Sequence, residues 1–112
     1  MKKIEAIIRP EKLDIVRNAL EKVGCGGLMI SEIEGHGKQK GVVQQWRGEK
    51  YRLELLPKMK LDVIIKDKDL DRIVKTIISA AKTGDIGDGK IFISNIENVI
   101  RIRTEEQGDV AI

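Results

Sequence analysis

The sequence predicts an α+β fold in which two strand–helix–strand units share one sheet. Two observations indicate it: strand-like apolar stretches lie at 3–8 and 59–66, and each precedes a run with the spacing of an amphipathic helix. The chain has 112 residues, of which 41% are hydrophobic and 35% charged, a composition typical of a globular protein. A chain of this length can bury a core without metals or disulfides, so we expect one domain over residues 1–112.

The first unit begins with an isoleucine-rich strand over 3–8. Pro10 suits the start of a helix, and Gly24 suits its end. Apolar residues with β-branched character resume over 28–33, which predicts the next strand. The apolar face of the helix is formed by Leu13, Val16, Leu20 and Val23.

The second unit repeats this order. Apolar and polar residues alternate over 59–66, as in a strand with one buried face. A helix over 70–81 follows, and we expect Gly84 to end it in a left-handed conformation. A strand over 91–93 closes the unit, and 99–103 would add a short C-terminal strand. Two such units predict a four-stranded sheet with both helices on one face, the ferredoxin-like β-α-β-β-α-β sandwich.

A long connection, residues 35–58, joins the two units between the second and third strands. It exceeds the roughly 12–15 residues usual in compact domains, and it has four glycines without a helical stripe. Two compatible interpretations stay open. Residues 42–43 and 51–56 can pair as a hairpin around Arg47 and Gly48, or the segment is a mobile arm that orders on a partner.

The glycine segment, TGDIGDGK at residues 83–90, suggests an anion site. Its three glycines permit tight turns or a close approach to the backbone, whose N–H groups can line a concavity for phosphate. Lys90 adds a point charge. Arg101 and Arg103 lie two apart on an expected strand, so their guanidinium groups would share one side, about 6.6 Å apart. A solvated strand face is the alternative for these two arginines.

The glycine segment lacks the marks of catalysis. It does not fit the pattern G-x-x-x-x-G-K-[ST], because Ile91 follows Lys90 where a hydroxyl would bind magnesium. The spacing of its residues indicates neither a nucleophile beside a general base nor a pair of carboxylates for acid–base catalysis. Cys25 and His36, the single cysteine and histidine, give no metal cluster, and Cys25 is expected to be packed. We therefore expect binding rather than turnover, and a small ferredoxin-like phosphohydrolase is an alternative.

Charge and hydropathy limit the partners and the compartment. A net charge of +3 is too small to imply a polyanion partner, and 3% aromatic residues give no paired stacking motif for RNA. An RNA-binding module is thus a disfavoured alternative, and we expect no nucleic-acid partner. No apolar run approaches the roughly 18 residues of a membrane helix, and 1–4 lack the apolar segment of a secretory signal. We expect a cytoplasmic protein.

The whole chain resembles the PII nitrogen-regulatory signal-transduction proteins. The resemblance is carried, in chain order, by MKKIEAIIRPEKLDIVRNAL, GHGKQKG, LLPKMK, TGDIGDGKIFI and VIRIRTEEQGDVAI. It implies a ferredoxin-like protomer in a homotrimer that binds ATP or ADP in each cleft between subunits, with the two arginines supplied by the adjoining subunit. The nucleotide-binding positions that it implies are Ile7, Gly35, Gly37, Lys38, Gln39, Asp62, Ile64, Gly87, Asp88, Gly89, Lys90, Arg101 and Arg103.

The resemblance also implies a second ligand, 2-oxoglutarate, held by a Mg²⁺ ion that touches all three ATP phosphates. Gln39 matches the side chain that coordinates this metal, and Lys58 matches the ammonium group that pairs with the ligand's distal carboxylate. Backbone groups at Gly37, Lys40 and Gly41 would complete the site. A dianion beside a polyphosphate needs a divalent cation between them, so the arrangement is physically reasonable.

Three loops follow from the resemblance: a T-loop at 37–55, a B-loop at 82–90 and a C-terminal loop at 102–112. In the T-loop, Arg47 matches the residue with which relatives block an ammonium transporter. Tyr51 matches a position that some bacteria uridylylate. The implied protein is a non-enzymatic sensor that reaches the membrane reversibly and only through the transporter. Regulation of glutamine synthetase or another nitrogen-metabolism target is the alternative. Trp46 and Glu49 depart from the family's Tyr-Arg-Gly-Ala/Ser-x-Tyr motif.

Overall fold

The computed structural model describes residues 1–35, 43–46, 49–52 and 56–112. The longest helix there has 12 residues, and no helix in these ranges has the length and apolar character needed to cross a membrane. Short 3-10 turns precede both helices, and a third lies near the C-terminal end. The elements in chain order are β1 (Lys2–Ile8), α1 (Leu13–Lys22), β2 (Met29–Gly35), β3 (Val43–Trp46), β4 (Glu49–Arg52), β5 (Leu56–Ile65), α2 (Leu70–Ala81) and β6 (Lys90–Asn95).

Four strands form an antiparallel sheet in the order β2-β5-β1-β6. β1 pairs with β5 on one side and β6 on the other, so Ile4 lies between Val63 and Ile93. The two strands of each strand–helix–strand unit are separated by one strand of the other unit. This is the split arrangement that two such units predict, and the predicted ferredoxin-like fold class is confirmed.

The core lies between the sheet and the two helices. Alternate residues of a strand point to the same face, and on β1 and β5 one such face meets apolar side chains of α1 and α2. Cys25 packs against this core, as expected. Each fully buried isoleucine or leucine contributes roughly 1.5–3 kcal/mol. The core residues that are at most 2% exposed are Ile4, Ala6, Ile8, Val16, Leu20, Leu61, Ile73 and Ile77.

The opposite face of the sheet, here called the open face, carries a network of four charges. Lys3 and Lys60 each lie near Glu5 and Asp62, with N–O distances of 3.6–3.9 Å. Glu5 and Asp62 are register partners, so the lysines offset a like-charge pair. Asp62 is only 8% exposed, and its Oδ1 accepts no hydrogen bond within the described part of the chain.

The two helices end differently. After α1, the N–H of Gly24 donates to Glu21 at 3.0 Å and that of Cys25 to Leu20 at 2.9 Å, a Schellman motif with Gly24 at φ +84°. The prediction that Gly24 ends this helix is confirmed. After α2, Lys82 is already extended, and Gly84 lies two residues farther on. The prediction that Gly84 ends α2 is wrong, because the backbone leaves the helix at Lys82.

Part of the long connection forms a hairpin. β3 pairs with β4 in antiparallel register, from Val43 opposite Arg52 to Trp46 opposite Glu49. The hairpin interpretation is confirmed for these strands, although the pairing involves 49–52 rather than 51–56.

The expected C-terminal strand is reduced to one bridge, between Ile100 and Gln107. The chain then reverses: the N–H of Glu105 donates to Arg101 at 2.8 Å, and that of Arg101 donates to Glu106 at 2.9 Å. The prediction that Arg101 and Arg103 share one face of a strand is therefore wrong. The alternation of apolar and basic residues there reflects a turn whose backbone hydrogen bonds are local.

Candidate functional site

The glycine segment lies at the C-terminal end of β1. It connects α2 to β6, and the pairing of β6 with β1 places Lys90 opposite Ile7. Both side chains belong to the open face, because the neighbouring residues Ile8 and Ala6 of β1 are buried on the core side. The predicted residues Ile7 and Lys90 are thus brought together.

The Asp88 carboxylate forms hydrogen bonds within the glycine segment. Its carboxylate accepts hydrogen bonds from the backbone N–H groups of Thr83 and Gly84, each at 2.9 Å, and from the Thr83 hydroxyl. Arg9 adds a charged hydrogen bond from Nε at 3.0 Å. The Thr83 hydroxyl first, then these N–H groups and Arg9, hold the pKa of Asp88 well below its usual range. The carboxylate of this predicted phosphate-site residue is therefore engaged in shaping the segment itself.

Two cations hold carbonyl groups of the same segment. An Arg9 terminal nitrogen donates to the Ile86 carbonyl at 3.0 Å, and Lys58 Nζ donates to the Gly87 carbonyl at 2.7 Å. Lys58 is 9% exposed, and burial, followed by the charge of Arg9, lowers its pKa. Because C=O and N–H point in opposite directions across a planar trans peptide, the N–H groups of Gly87 and Asp88 face away from these cations.

The glycines of the segment have separate structural reasons. Gly84, Gly87 and Gly89 all have positive φ, at +93°, +106° and +98°. A Cβ on Gly89 would lie 1.7 Å from the Ile7 carbonyl oxygen, whereas one on Gly84 would meet no atom within 4 Å. The close approach that the glycine content suggested is therefore made, at Gly89, by the backbone of β1.

A cavity of about 260 Å³ borders the segment. Apolar residues of α2 and β1 form much of its lining, which also includes two lysines. Pockets for drug-sized ligands usually measure about 300–1,000 Å³, so this cavity suits part of a larger ligand. Its lining includes Ile7, Ile77, Ile78, Lys82, Asp88 and Lys90.

The other predicted positions are distributed over two regions. Asp62 and Ile64 lie on the open face, opposite Glu5 and Lys3, and the position of Ile64 is about 13 Å along the strands from Ile7. Gly35 ends β2 opposite Leu56. Tyr51 lies in β4. Outside the described residues are Gly37, Lys38, Gln39, Lys40, Gly41 and Arg47.

Arg101 and Arg103 are not brought to the glycine segment within the protomer. β6 runs away from the segment, and the N–H of Ile96 donates to the Met1 carbonyl at the far end of β1. Arg101 forms an ion pair with Glu106 and donates to the Val110 carbonyl at 3.0 Å. The described contacts of Arg101 therefore lie in the C-terminal turn and not at the glycine segment.

Arg9 is the residue at this site that sequence reasoning missed. It is separated from Asp88 by 79 positions, and no local motif connects them. The antiparallel pairing of β1 with β6 brings them together, because Arg9 directly follows β1 and Asp88 shortly precedes β6. Only a correct strand order could have indicated this pair.

The described residues near the segment present cations and N–H groups. In the described ranges, no group of three or more His, Cys, Asp or Glu residues is arranged to hold a metal ion. Backbone N–H groups and cationic side chains are donors that suit an anion.

The chain is similar to known proteins over its whole length. The family described as nitrogen regulatory protein P-II matches residues 1–106. The chain is 54% identical over 112 residues to nitrogen regulatory protein P-II 2 of Methanothermobacter thermautotrophicus, covering all of this chain and 97% of the relative. It is 51% identical over 112 residues to nitrogen regulatory protein P-II 1 of Escherichia coli K12 and to nitrogen regulatory protein P-II of Microchaete diplosiphon, with both chains fully covered in each case.

Proposed function

Because the chain belongs to the P-II family of nitrogen regulatory proteins, which are signalling regulators rather than enzymes, we propose that it senses adenine nucleotides and 2-oxoglutarate. ATP and ADP compete for the glycine segment. 2-Oxoglutarate binds beside ATP. The combination of bound ligands determines the conformation of the T-loop, which then binds or releases a target.

The observation that carries this proposal is the arrangement of the glycine segment. Arg9 and Lys58 hold the carbonyl groups of Ile86 and Gly87, so the N–H groups of the same two peptides point away from these cations, and Lys90 ends the segment. Backbone N–H groups with a nearby ammonium group are the donors that a polyphosphate requires. This supports a phosphate-binding role for Gly87, Gly89 and Lys90.

The proposal includes a homotrimer with its sites between subunits. β6 leads away from the glycine segment to the turn in which Arg101 pairs with Glu106, which favours the supply of Arg101 and Arg103 by a neighbour. Two apolar side chains on the open face, Met29 and Phe92, are 57% and 52% exposed, as expected of a surface that another copy covers. Sedimentation equilibrium should give three times the protomer mass, and a monomer at micromolar concentration would contradict this part.

Lys58 supports 2-oxoglutarate as the second ligand. Its ammonium group is buried beside Arg9 and the Gly87 carbonyl, so a carboxylate arriving there meets two cations at the edge of the phosphate site. Magnesium would be held by phosphate oxygens and Gln39, and would supply charge neutralisation between the two anions. The described residues fit the anionic ligands, and Gln39 lies outside them.

The proposed target is an ammonium transporter, which the T-loop blocks by inserting Arg47. A long cationic side chain can enter a pore and donate hydrogen bonds there, and in sequence position 47 lies between β3 and β4. Arg47→Ala should bind small ligands normally and fail to block transport in reconstituted vesicles. Normal block by this variant would reject the plug while leaving nucleotide sensing intact.

The test of the sensor is isothermal titration with 2-oxoglutarate. Switching requires that 2-oxoglutarate bind the ATP–Mg²⁺ form much better than the ADP–Mg²⁺ form, since a ligand shifts an equilibrium only by its differential affinity. Lys58→Met should remove 2-oxoglutarate binding and retain ATP binding at reduced affinity, because it also loses the bond to the Gly87 carbonyl. Equal 2-oxoglutarate affinities in the two nucleotide states would reject the switch, and absence of ATP binding would reject the site.

A further inference from the structure

We propose that Arg9 is a positioning residue for the nucleotide site, acting through Asp88 and the Ile86 carbonyl without contacting the nucleotide. The proposal rests on the nucleotide-binding function proposed above and names a residue that shapes that same site. Arg9 connects the end of β1 to the glycine segment by two hydrogen bonds, both at 3.0 Å.

Arg9 is anchored at the end of a central strand of the sheet. It directly follows β1, whose backbone is paired with β5 on one side and β6 on the other. Pro10 follows, and Arg9 has extended backbone angles, as residues before proline prefer. Its side chain is 13% exposed. Arg9 is therefore a fixed support for a segment whose three glycines make it costly to order.

Asp88 places a carboxylate within a proposed anion site. Left unpaired, its negative charge would repel phosphate. The charged hydrogen bond from Arg9 offsets this charge and joins three bonds from Thr83 and Gly84, which hold the carboxylate inside the turn. Removing one member of a partly buried pair leaves the other uncompensated, so loss of Arg9 should both loosen the segment and expose a repulsive charge.

Arg9 also affects the direction of backbone N–H groups in the glycine segment. The bond from Arg9 to the Ile86 carbonyl orients the peptide between Ile86 and Gly87, so that the Gly87 N–H faces away from Arg9. Lys58 orients the following peptide in the same manner. Arg9 thus helps to preset the donors that a phosphate would meet, and preset donors bind more tightly because the ordering cost is already met.

The experiment compares Arg9→Gln with Arg17→Gln in the full-length protein. Arg17 is a matched control: it also pairs with an aspartate, Asp14, at 3.1 Å, but on the surface of α1. Hydrogen exchange of the Thr83 and Gly84 amides is measured without ligand, and ATP affinity is measured by calorimetry. Arg9→Gln should speed exchange at both amides and weaken ATP by about tenfold, a loss in the range of one charge-assisted hydrogen bond. Arg17→Gln should change neither.

Two further variants separate positioning from direct contact. Arg9→Lys can keep one of the two hydrogen bonds, so its ATP affinity should lie between those of the wild type and Arg9→Gln. In the Asp88→Asn background, Arg9→Gln should weaken ATP by a clearly smaller factor than in the wild-type background, because the pathway through Asp88 is already interrupted and only the bond to the Ile86 carbonyl is left to lose. A protein in which Arg9 touches the phosphate would instead lose about the same factor in both backgrounds.

The outcomes are distinguishable. Unchanged ATP affinity in Arg9→Gln, or equal losses in both backgrounds, overturns the positioning role. If the wild-type protein binds no ATP, the proposed function fails, and the exchange rates at Thr83 and Gly84 alone decide whether Arg9 orders the segment. Unchanged exchange there overturns the inference without reference to any ligand.

Discussion

Replacing Gly89 with alanine should be far more destabilising than replacing Gly24 with alanine. Both glycines have positive φ, at +98° and +84°. A Cβ at Gly24 would meet no atom within 4 Å, whereas one at Gly89 would lie 1.7 Å from the Ile7 carbonyl oxygen and 2.7 Å from its carbon. The two substitutions share the backbone strain and differ in the overlap with β1.

The magnitude follows from these distances. A left-handed conformation costs an alanine about 1–2 kcal/mol, which is the loss expected for Gly24→Ala. At Gly89 the overlap is with backbone, so β6 must move from β1 by more than 1 Å beside the Ile7–Lys90 pair. Disrupting the adjoining ladder and the packing behind it should bring the loss to about 4–5 kcal/mol or more. That is a large part of the 5–15 kcal/mol typical of a domain.

The assay is urea unfolding at one fixed protomer concentration, since oligomerisation makes apparent stability concentration-dependent. Gly24→Ala should unfold at moderately lower urea, and Gly89→Ala at much lower urea or without any folded baseline. Losses that agree within about 0.5 kcal/mol would refute the reasoning, because they would mean that β6 accommodates a methyl group against β1 without cost.

Three further predictions follow from local contacts. Glu105 has φ +60°, so Glu105→Gly should raise the free energy of unfolding by about 0.5–1 kcal/mol in urea titrations, whereas Glu97→Gly should lower it. The folded-state pKa of Asp88 lies below its unfolded value. The ionised carboxylate therefore stabilises the folded protein fully above about pH 5, and this contribution is lost as pH falls below about 4. The difference in unfolding free energy between wild type and Asp88→Asn should shrink over that range. Lys90→Ala and Arg103→Ala should each weaken ATP by about tenfold or more in calorimetry with little change in unfolding midpoint.

Each of these predictions has a contrary result. Equal effects of glycine at 105 and 97 would mean that the positive φ of Glu105 carries no strain. A difference between wild type and Asp88→Asn that persists unchanged below pH 4 would show that the Asp88 carboxylate is not preferentially stabilised when ionised. Unaltered ATP affinity in both Lys90→Ala and Arg103→Ala would remove these residues from the proposed site.

The helices and central strands could be predicted because each element buries one face. The periodicity of Leu70–Ala81 and the alternation in 59–66 follow directly from packing against the same core. Helix ends were less predictable. Gly24 forms a local Schellman motif that sequence can indicate, whereas α2 ends at Lys82 for reasons that the nearby glycine does not reveal.

The contacts that shape the candidate site depend on tertiary structure. The bonds of Arg9 to Asp88 and of Lys58 to the Gly87 carbonyl join positions 79 and 29 residues apart, so no local pattern contains them. The alternation around Arg101 and Arg103 resembled a strand, but the pairing of Arg101 with Glu106 and the left-handed Glu105 make it a turn. Alternation shows which residues are apolar and does not show where a short chain segment reverses.

The most direct test of the central claim, that the glycine segment receives the phosphates of an adenine nucleotide, is a titration of backbone amide resonances with Mg²⁺–ATP. The amides of Gly87, Gly89 and Lys90 should shift and saturate with the dissociation constant found by calorimetry, while that of Gly24, a left-handed glycine at the end of α1, should stay in place. Saturable ATP binding that leaves the amides of 83–90 unshifted would contradict the account.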